Sequence, residues 1–286
     1  MPKVSVLMPA YNAAQWIADA IDSILRQTFS DFEFIIINDG STDDTARVVR
    51  EYATRDPRIK FIDNIQNRGV AHIRNQLLDM ATGEYIAFQD ADDISHPNRL
   101  DTQVRFMDAH HEVSVCGTGM HAFPSDEIII CPQCPKILDF YTANMVSNPT
   151  VMMRRRKIDA HKLRFNPDFT TAEDYDFWAR LVRELNIYNI PDILLEYRIV
   201  QNSLSHNNPR LDYFNNLVRT HIIDSITTDK ITRIRLSPKY CAYLFGVVPV
   251  IKFKRTRIYL FGVIPLMKLR GNWWRLFDVI PLVKIK

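Results

Sequence analysis

No uninterrupted apolar run in this chain of 286 residues approaches the ~20 residues that a membrane-spanning helix needs. The 47% hydrophobic content therefore points to a sizeable buried core. The opening MPKVSVLMPAYN has too short an apolar stretch for a secretory signal and lacks a small-residue cleavage site, so a cytoplasmic protein is expected. Cysteine is scarce. Cys116, Cys131, Cys134 and Cys241 do not make a disulfide framework in a chain of this size. Cys131 and Cys134 form a single C-x-x-C, and without a second pair the four ligands of a structural zinc site are not evident, so the pair reads as a plain loop. No recognised nucleic-acid-binding module is present, and no nucleic-acid partner is expected.

Acidic residues are nearly missing from one region. Residues 231–286 hold 12 Lys or Arg against Asp278 alone, a net +11, which leaves −8 on the rest of a chain whose total is +3. An acidic body with a basic tail suggests that the tail meets an anionic partner.

Along the body, short buried strands alternate with helices. Strands are expected at Val4–Met8, Phe32–Ile37, Ile59–Ile62 and Tyr85–Phe88, with helices over Ala13–Gln27, to about Thr54, and over Val70–Met80. The hydroxyls of Ser41 and Thr42 are placed to cap the second helix. Such alternation calls for an α/β fold with a mostly parallel sheet and right-handed crossovers. Beyond Pro97 a helix to about His110 and a strand at Val113–Gly117 follow. Regularity then drops over residues 121–147, which read as the variable wall of a pocket. A strand at Thr150–Arg154, a helix over Tyr175–Leu185 and a final strand at Ile193–Tyr197 complete the pattern, and the polar stretch Gln201–Pro209 reads as a mobile loop.

The stretch that the body is organised around is EYIAFQDADD, Glu84 to Asp93. An apolar strand ends there in Asp90, Asp92 and Asp93, at the edge of an open α/β sheet where ligands sit. Asp90 and Asp92 can converge on one cation, and hard oxygen ligands suit Mg²⁺ or Mn²⁺, which keep positions open for phosphate oxygens. The plainer alternative is a solvated acidic turn before the next helix.

These motifs together resemble the family 2 glycosyltransferases with the GT-A (Rossmann-like) fold, over roughly residues 3–205. The resemblance rests on VSVLMPAYNA at the first strand, IINDGSTDDT after the second, NRGVAHIRNQLLDMATGEYIAFQDADD through the fourth, and AEDYDFWARL before the last. It implies an inverting, metal-dependent transfer of a sugar from a nucleotide-sugar, usually a UDP-sugar, to a hydroxyl of a saccharide or lipid-linked acceptor in surface glycan synthesis. The family pattern puts Pro9, Tyr11 and Asn12 at the base pocket and Asp39 on the uracil, where a carboxylate can accept the imide N–H. Arg68 and Arg74 match the segment near the nucleotide, although Arg74 could instead be an exposed helix charge. Asp92 corresponds to the metal ligand, for Mn²⁺ or Mg²⁺, and Asp90 to a contact with the ribose or donor sugar, while Asp93 would support the loop. Asp174 corresponds to the catalytic base and Glu173 to an acceptor-binding residue. Both would also be favourable charges at a helix N-terminus. Many relatives carry a histidine after a Y-R pair, but Tyr197, Arg198 and Ile199 are followed here by Val200. His206 is a substitute, or else a loop histidine. The competing function is a non-catalytic nucleotide-sugar-binding subunit of a glycan-assembly complex.

Three regions are expected: a nucleotide-sugar-binding half, 1–117, an acceptor-binding half, 118–210, and a basic extension, 211–286. In the extension YLFGVVPVIKFK, YLFGVIPLMKLR and RLFDVIPLVKIK recur with a period of 16 residues, starting at Tyr243, Tyr259 and Arg275. Apolar runs followed by basic residues suit an anionic membrane surface, so residues 238–286 are expected to hold the protein on the inner face of the cell membrane. The alternative is a small stacked domain, and proline in each run argues against one long helix.

Overall fold

The computed structural model describes residues 1–200 and 210–224, together with the backbone of a helix continuing to residue 231 and of six strands between residues 241 and 284. His206 and the Gln201–Pro209 stretch lie outside the described residues. The chain divides into two compact units, Met1–Arg219 and Thr220–Lys286.

In the first unit, strands β1 (Val4–Ala10), β2 (Phe32–Asp39), β3 (Ile59–Asn64) and β4 (Tyr85–Phe88) pair in parallel in the order β3-β2-β1-β4. Helices α1 (Ile17–Leu25), α2 (Thr45–Arg55) and α3 (Val70–Met80) make the crossovers. Every residue of β2 and β4 is buried, as the apolar runs Phe34–Ile37 and Tyr85–Phe88 require of strands covered on both faces, while Glu33 within β2 is satisfied by Ser5, Lys60 and Thr82. Val4, Val6 and Met8 of β1 share one core with Ile17, Ile21 and Ile24 of α1 and with Leu100, Val104 and Met107 of α4 (Arg99–Ala109). On the opposite face Phe88 meets Phe165, which stacks on Phe177 with ring centroids 4.2 Å apart. Burying each such side chain contributes roughly 1.5–3 kcal/mol.

Past β4 the sheet becomes mixed. It continues through β8 (Met152–Arg154), β6 (Val115–Phe123), β9 (Ile187–Arg198) and β5 (Ile94–Ser95), with β7 (Glu127–Ile129) on the other edge of β6. β8 is antiparallel to both β4 and β6, whereas β6 and β9 run parallel. Two strands are much longer than the sequence suggests, because each finds a long partner in the other. The expected Val113–Gly117 strand extends to Phe123, and the expected Ile193–Tyr197 strand starts at Ile187. Pro191 hid the earlier part. The ladder passes from Thr118↔Ile190 to Gly119↔Ile193, so Pro191 and Asp192 sit in a bulge where a missing N–H costs no bond. Part of the 121–147 wall is likewise regular, with Met120–Ala122 paired to β7. Helices α5 (Arg155–Ala160) and α6 (Glu173–Leu181) follow, with short 3₁₀ turns at Asp139–Tyr141 and Asn148–Thr150, and α7 (Leu211–Ile231) begins in this unit.

In the second unit the 16-residue repeat reads out as one hairpin per period. The strands β10 (Cys241–Leu244), β11 (Val248–Lys254), β12 (Arg257–Leu260), β13 (Ile264–Arg270), β14 (Trp273–Leu276) and β15 (Ile280–Lys284) form an antiparallel meander. Register shifts recur at Ala242/Tyr243, Ile258/Tyr259 and Trp274/Arg275, beside Pro249, Pro265 and Pro281. Proline cannot donate to a ladder, and irregularities of this kind are where sheets accommodate it.

Candidate active site

A cavity of about 1400 Å³ opens at the carboxyl ends of β1, β2 and β4. Pro9, Tyr11, Asn12, Asp39, Arg68, Arg74, Asp90, Asp92, Glu173 and Asp174 all line it, so residues from four separate motifs converge on one space. Val200, at the position of the missing histidine, lines it as well.

On one side, three loops are knitted together by short polar side chains. Asn12, in the left-handed region at φ 47°, donates its N–H to Ser41 Oγ at 2.9 Å, and its Oδ1 accepts the Thr42 N–H at 2.9 Å. The Ser41 and Thr42 hydroxyls thus tie the β1–α1 and β2–α2 loops and do not cap α2, contrary to the sequence expectation. Asp43 accepts the Thr45 N–H instead, at 3.0 Å. Asp39 is buried, and its two oxygens accept the N–H groups of Arg68 at 2.8 Å and Gly69 at 2.9 Å. Gly40, at φ 67°, lies so close to Gln66 and Asn67 that an added Cβ would sit 2.7 Å from backbone atoms of each, which makes glycine necessary there.

The acidic loop after β4 rests on a buried polar platform. Arg99 is fully buried and donates to the Phe88 carbonyl at 2.7 Å, to Gln89 Oε1 at 3.1 Å and to Ser95 Oγ at 2.9 Å. Burial lowers its pKa to about 10. Gln89 in turn donates to the carbonyls of Asp90 and Asp93, at 3.1 and 2.8 Å. Asp93 is buried and accepts the Arg198 N–H at 2.9 Å, and the Arg198 side chain donates to the Asp92 carbonyl at 3.0 Å. Burial, then the charges of Asp92 and Asp90, push the Asp93 carboxyl well up, which suits a loop support. Asp92 remains partly exposed to the cavity, and burial together with the Asp90 charge raises it to about 6.

The acid pair opens α6. Ala172 precedes it in the left-handed region at φ 60°, a conformation that costs a non-glycine residue about 1 kcal/mol and turns the chain into the helix. Glu173 is buried and paired with Arg74, whose other terminal nitrogen lies 3.5 Å from Asp90 Oδ1. Arg74 is therefore not an exposed helix charge. It is 6% exposed and bridges the loop after β4 to the start of α6, its guanidinium 5.4 Å from the Phe165 ring centroid. Asp174 keeps partial exposure, accepts the Tyr175 N–H at 2.7 Å, and has its pKa raised to about 6 by burial and by Glu173, against the opposing charge of Arg74.

The model of glycosyl transferase family 2 matches residues 5–172, more than half of the chain. The chain belongs to glycosyltransferase family 2. Putative glycosyltransferase EpsE of Bacillus subtilis is 37% identical over 69% of this chain and 73% of its own length. The UDP-Glc:alpha-D-GlcNAc-diphosphoundecaprenol beta-1,3-glucosyltransferase WfgD of Escherichia coli is 32% identical over 71% and 80%. Among solved structures, S. aureus TarS 1-349 in complex with UDP-GlcNAc superposes with a TM-score of 0.64 at 21% identity, over 82% of this chain and 76% of that one, which establishes the GT-A fold.

A divalent ion is a common companion of family 2 glycosyltransferases, and the donor set here suits one. Asp90 and Asp92 offer hard oxygens to an open cavity, and a dication would offset both the burial and the Asp90 charge that together raise Asp92. Among the described residues no cluster of three or more His, Cys, Asp or Glu is arranged as a metal cage, so further ligands would have to be substrate phosphate and water.

Several residues that line or support this cavity carry no motif. Arg99 and Gln103 did leave a trace, because they fall at i and i+4 on the same helical face as the apolar Leu100, Val104 and Met107. Asn144 and Asn148, in the segment before β8, line the cavity and left none. Asn148 is buried with neither amide atom paired.

Proposed function

We propose that this family 2 enzyme is an inverting transferase that moves a sugar from a UDP-sugar to a hydroxyl of a lipid-linked or saccharide acceptor in surface glycan synthesis. The observation that carries the reading is the convergence of Asp39, Asp92 and Asp174 on one cavity. Further support for the donor and acceptor classes comes from the names of the relatives: WfgD uses UDP-Glc and a diphosphoundecaprenol-linked GlcNAc, and TuaG of Bacillus subtilis is a putative teichuronic acid biosynthesis glycosyltransferase.

In this reading residues 1–117 bind the donor and 118–210 the acceptor. Pro9, Tyr11 and Asn12 border the base, and Asp39 accepts the uracil imide N–H with lone pairs left over from its two backbone bonds. Asp90 contacts the ribose or donor sugar, and Arg68 meets the diphosphate. Asp92 would hold Mn²⁺ or Mg²⁺, which when bound supplies a Lewis acid for the diphosphate leaving group. Glu173 contacts the acceptor, with Arg74 fixing its carboxylate. The acceptor oxygen attacks the anomeric carbon on the face opposite the diphosphate, the bond to phosphate oxygen breaks, and Asp174 takes the hydroxyl proton. A base works best when its pKa lies near the working pH, and burial with the Glu173 charge raises Asp174 toward it, to about 6.

No helix among the described residues is long and apolar enough to cross a membrane. The basic repeats, residues 238–286, hold the enzyme peripherally on an anionic membrane surface at the cytoplasmic face, where a lipid-linked acceptor would present its sugar.

A panel of nucleotide-sugars with Mn²⁺ or Mg²⁺, read by nucleotide release with and without polyprenyl-diphosphate-linked acceptors, tests the reading. A UDP-sugar turned over only with metal and acceptor is expected. Absence of turnover with every donor, alongside intact UDP binding, would instead mark a non-catalytic nucleotide-sugar-binding subunit.

A further inference from the structure

The wall facing the acid pair contains an amide that no motif points to. Asn144 Nδ2 donates to Asp174 Oδ2 at 3.1 Å, while Asn144 Oδ1 accepts the Val146 N–H at 3.3 Å. The second bond settles the orientation of the first. Flipping the amide would set its oxygen against a carboxylate and its NH₂ against an N–H, losing both bonds. Asp174 Oδ1 accepts the Tyr175 N–H, so the carboxylate is gripped through both oxygens, once from its own helix and once from the opposite wall.

We propose that Asn144 is a positioning residue for Asp174, fixing the plane of that carboxylate toward the attacking hydroxyl from the acceptor side of the cavity. The proposal rests on the reading of Asp174 as the base. A carboxylate held through one oxygen alone can rotate about its Cα–Cβ and Cβ–Cγ bonds, and small misplacements of a reacting group cost large factors in rate. The second grip removes that freedom while leaving a lone pair on each oxygen for the incoming proton. Asn144 also acts on the charge of the base. Burial above all, then Glu173 on α6 and Asp90 on the loop after β4, disfavour ionisation of Asp174, whereas Arg74 on α3 and the Tyr175 N–H favour it. The Asn144 N–H donates more strongly to carboxylate than to carboxylic acid and so sides with Arg74. Asparagine suits this place because it supplies a donor without adding another charge to a crowded acidic site.

The test uses the full chain and the variants N144A, N144D and D174N. The Asp174 carboxyl is titrated by ¹³C NMR on aspartate-labelled protein, with D174N assigning the resonance. Turnover of the donor selected by the nucleotide-sugar panel is followed from pH 5 to 9. In N144A the Asp174 midpoint and the acid limb of kcat are expected to move up together by about half to one pH unit, as the loss of one hydrogen bond to a charged group predicts. Donor KM should stay within about twofold while kcat falls roughly tenfold or more. N144D keeps the shape but places a second carboxylate there, so its acid limb should move further, with activity partly recovered at pH 9. A merely structural role would lower kcat without moving either titration. Unmoved midpoints in N144A and N144D, with D174N inactive, overturn the positioning role alone. A D174N enzyme with wild-type turnover overturns both it and the assignment of the base.

Discussion

Arg74 and Glu173, 99 positions apart in the chain, form a buried ion pair across the floor of the cavity. Breaking such a pair from one side leaves a charge uncompensated in low dielectric. Arg74→Ala is therefore expected to destabilise the enzyme by about 3–5 kcal/mol, a fall in Tm of roughly 10 °C. Glu173→Gln in the same background should restore part of that loss. A coupling of about 1–3 kcal/mol in the double-mutant cycle is expected, and additivity would show that the two side chains do not depend on each other.

Asp92→Asn should weaken UDP binding on the order of 10-fold or more in saturating Mn²⁺, since losing a direct ligand is at least as severe as losing its support. Without metal the affinities of mutant and wild type should agree. Calorimetric titration in the two conditions measures both, and equal affinity with metal present rules out Asp92 as its ligand.

Asp174→Asn should retain donor affinity and lose about 10² to 10⁴ in turnover. Its effect on stability has the opposite sign. The folded-state pKa of Asp174, about 6, lies above the ordinary 3.8, so between these values the folded state binds more protons than the unfolded one. The wild type therefore loses stability as pH rises through that window. The uncharged variant escapes the loss, and its Tm should exceed that of the wild type at pH 7.5, with the advantage shrinking toward pH 4. Thermal melts across pH 4 to 8 test this, and a constant difference contradicts it.

The full chain should co-sediment with anionic vesicles, less so as salt rises, and not with neutral ones. Truncation after Ser237 should abolish the binding, because each basic residue near an anionic surface contributes about 1 kcal/mol. A full chain that stays in the supernatant at low salt would make the repeats a packing or protein-contact module.

How far the sequence could be read depended on whether a residue acts through a local pattern or a distant partner. The four parallel strands were legible because apolar runs such as Phe34–Ile37 and Tyr85–Phe88 announce burial on both faces. That Asp39, Asp92 and Asp174 would line one cavity was legible because each sits in a motif with an ordered neighbourhood. The length of β6 and β9 was not, since only their mutual pairing extends them and Pro191 reads locally as a stop. Arg74 could be placed on a helix but not given a partner, because nothing local links it to Glu173. Asn144 was invisible for the same reason: its relation to Asp174 spans 30 positions and exists only once the wall is folded.

Asp39 has a further consequence for any diphosphate that enters the cavity. The mouth of a helix ordinarily welcomes an anion, because free amides and the helix dipole both point at it. At the start of α3 that welcome is tempered, for the Asp39 carboxylate sits beside it, held by the amides of Arg68 and Gly69, the two residues just ahead of the first turn. A diphosphate approaching that end would meet a fixed carboxylate as well as the free amides of the first turn. In the proposed reading, the charge of that diphosphate would be neutralised by the exposed side chain of Arg68 and by the dication that Asp92 would hold.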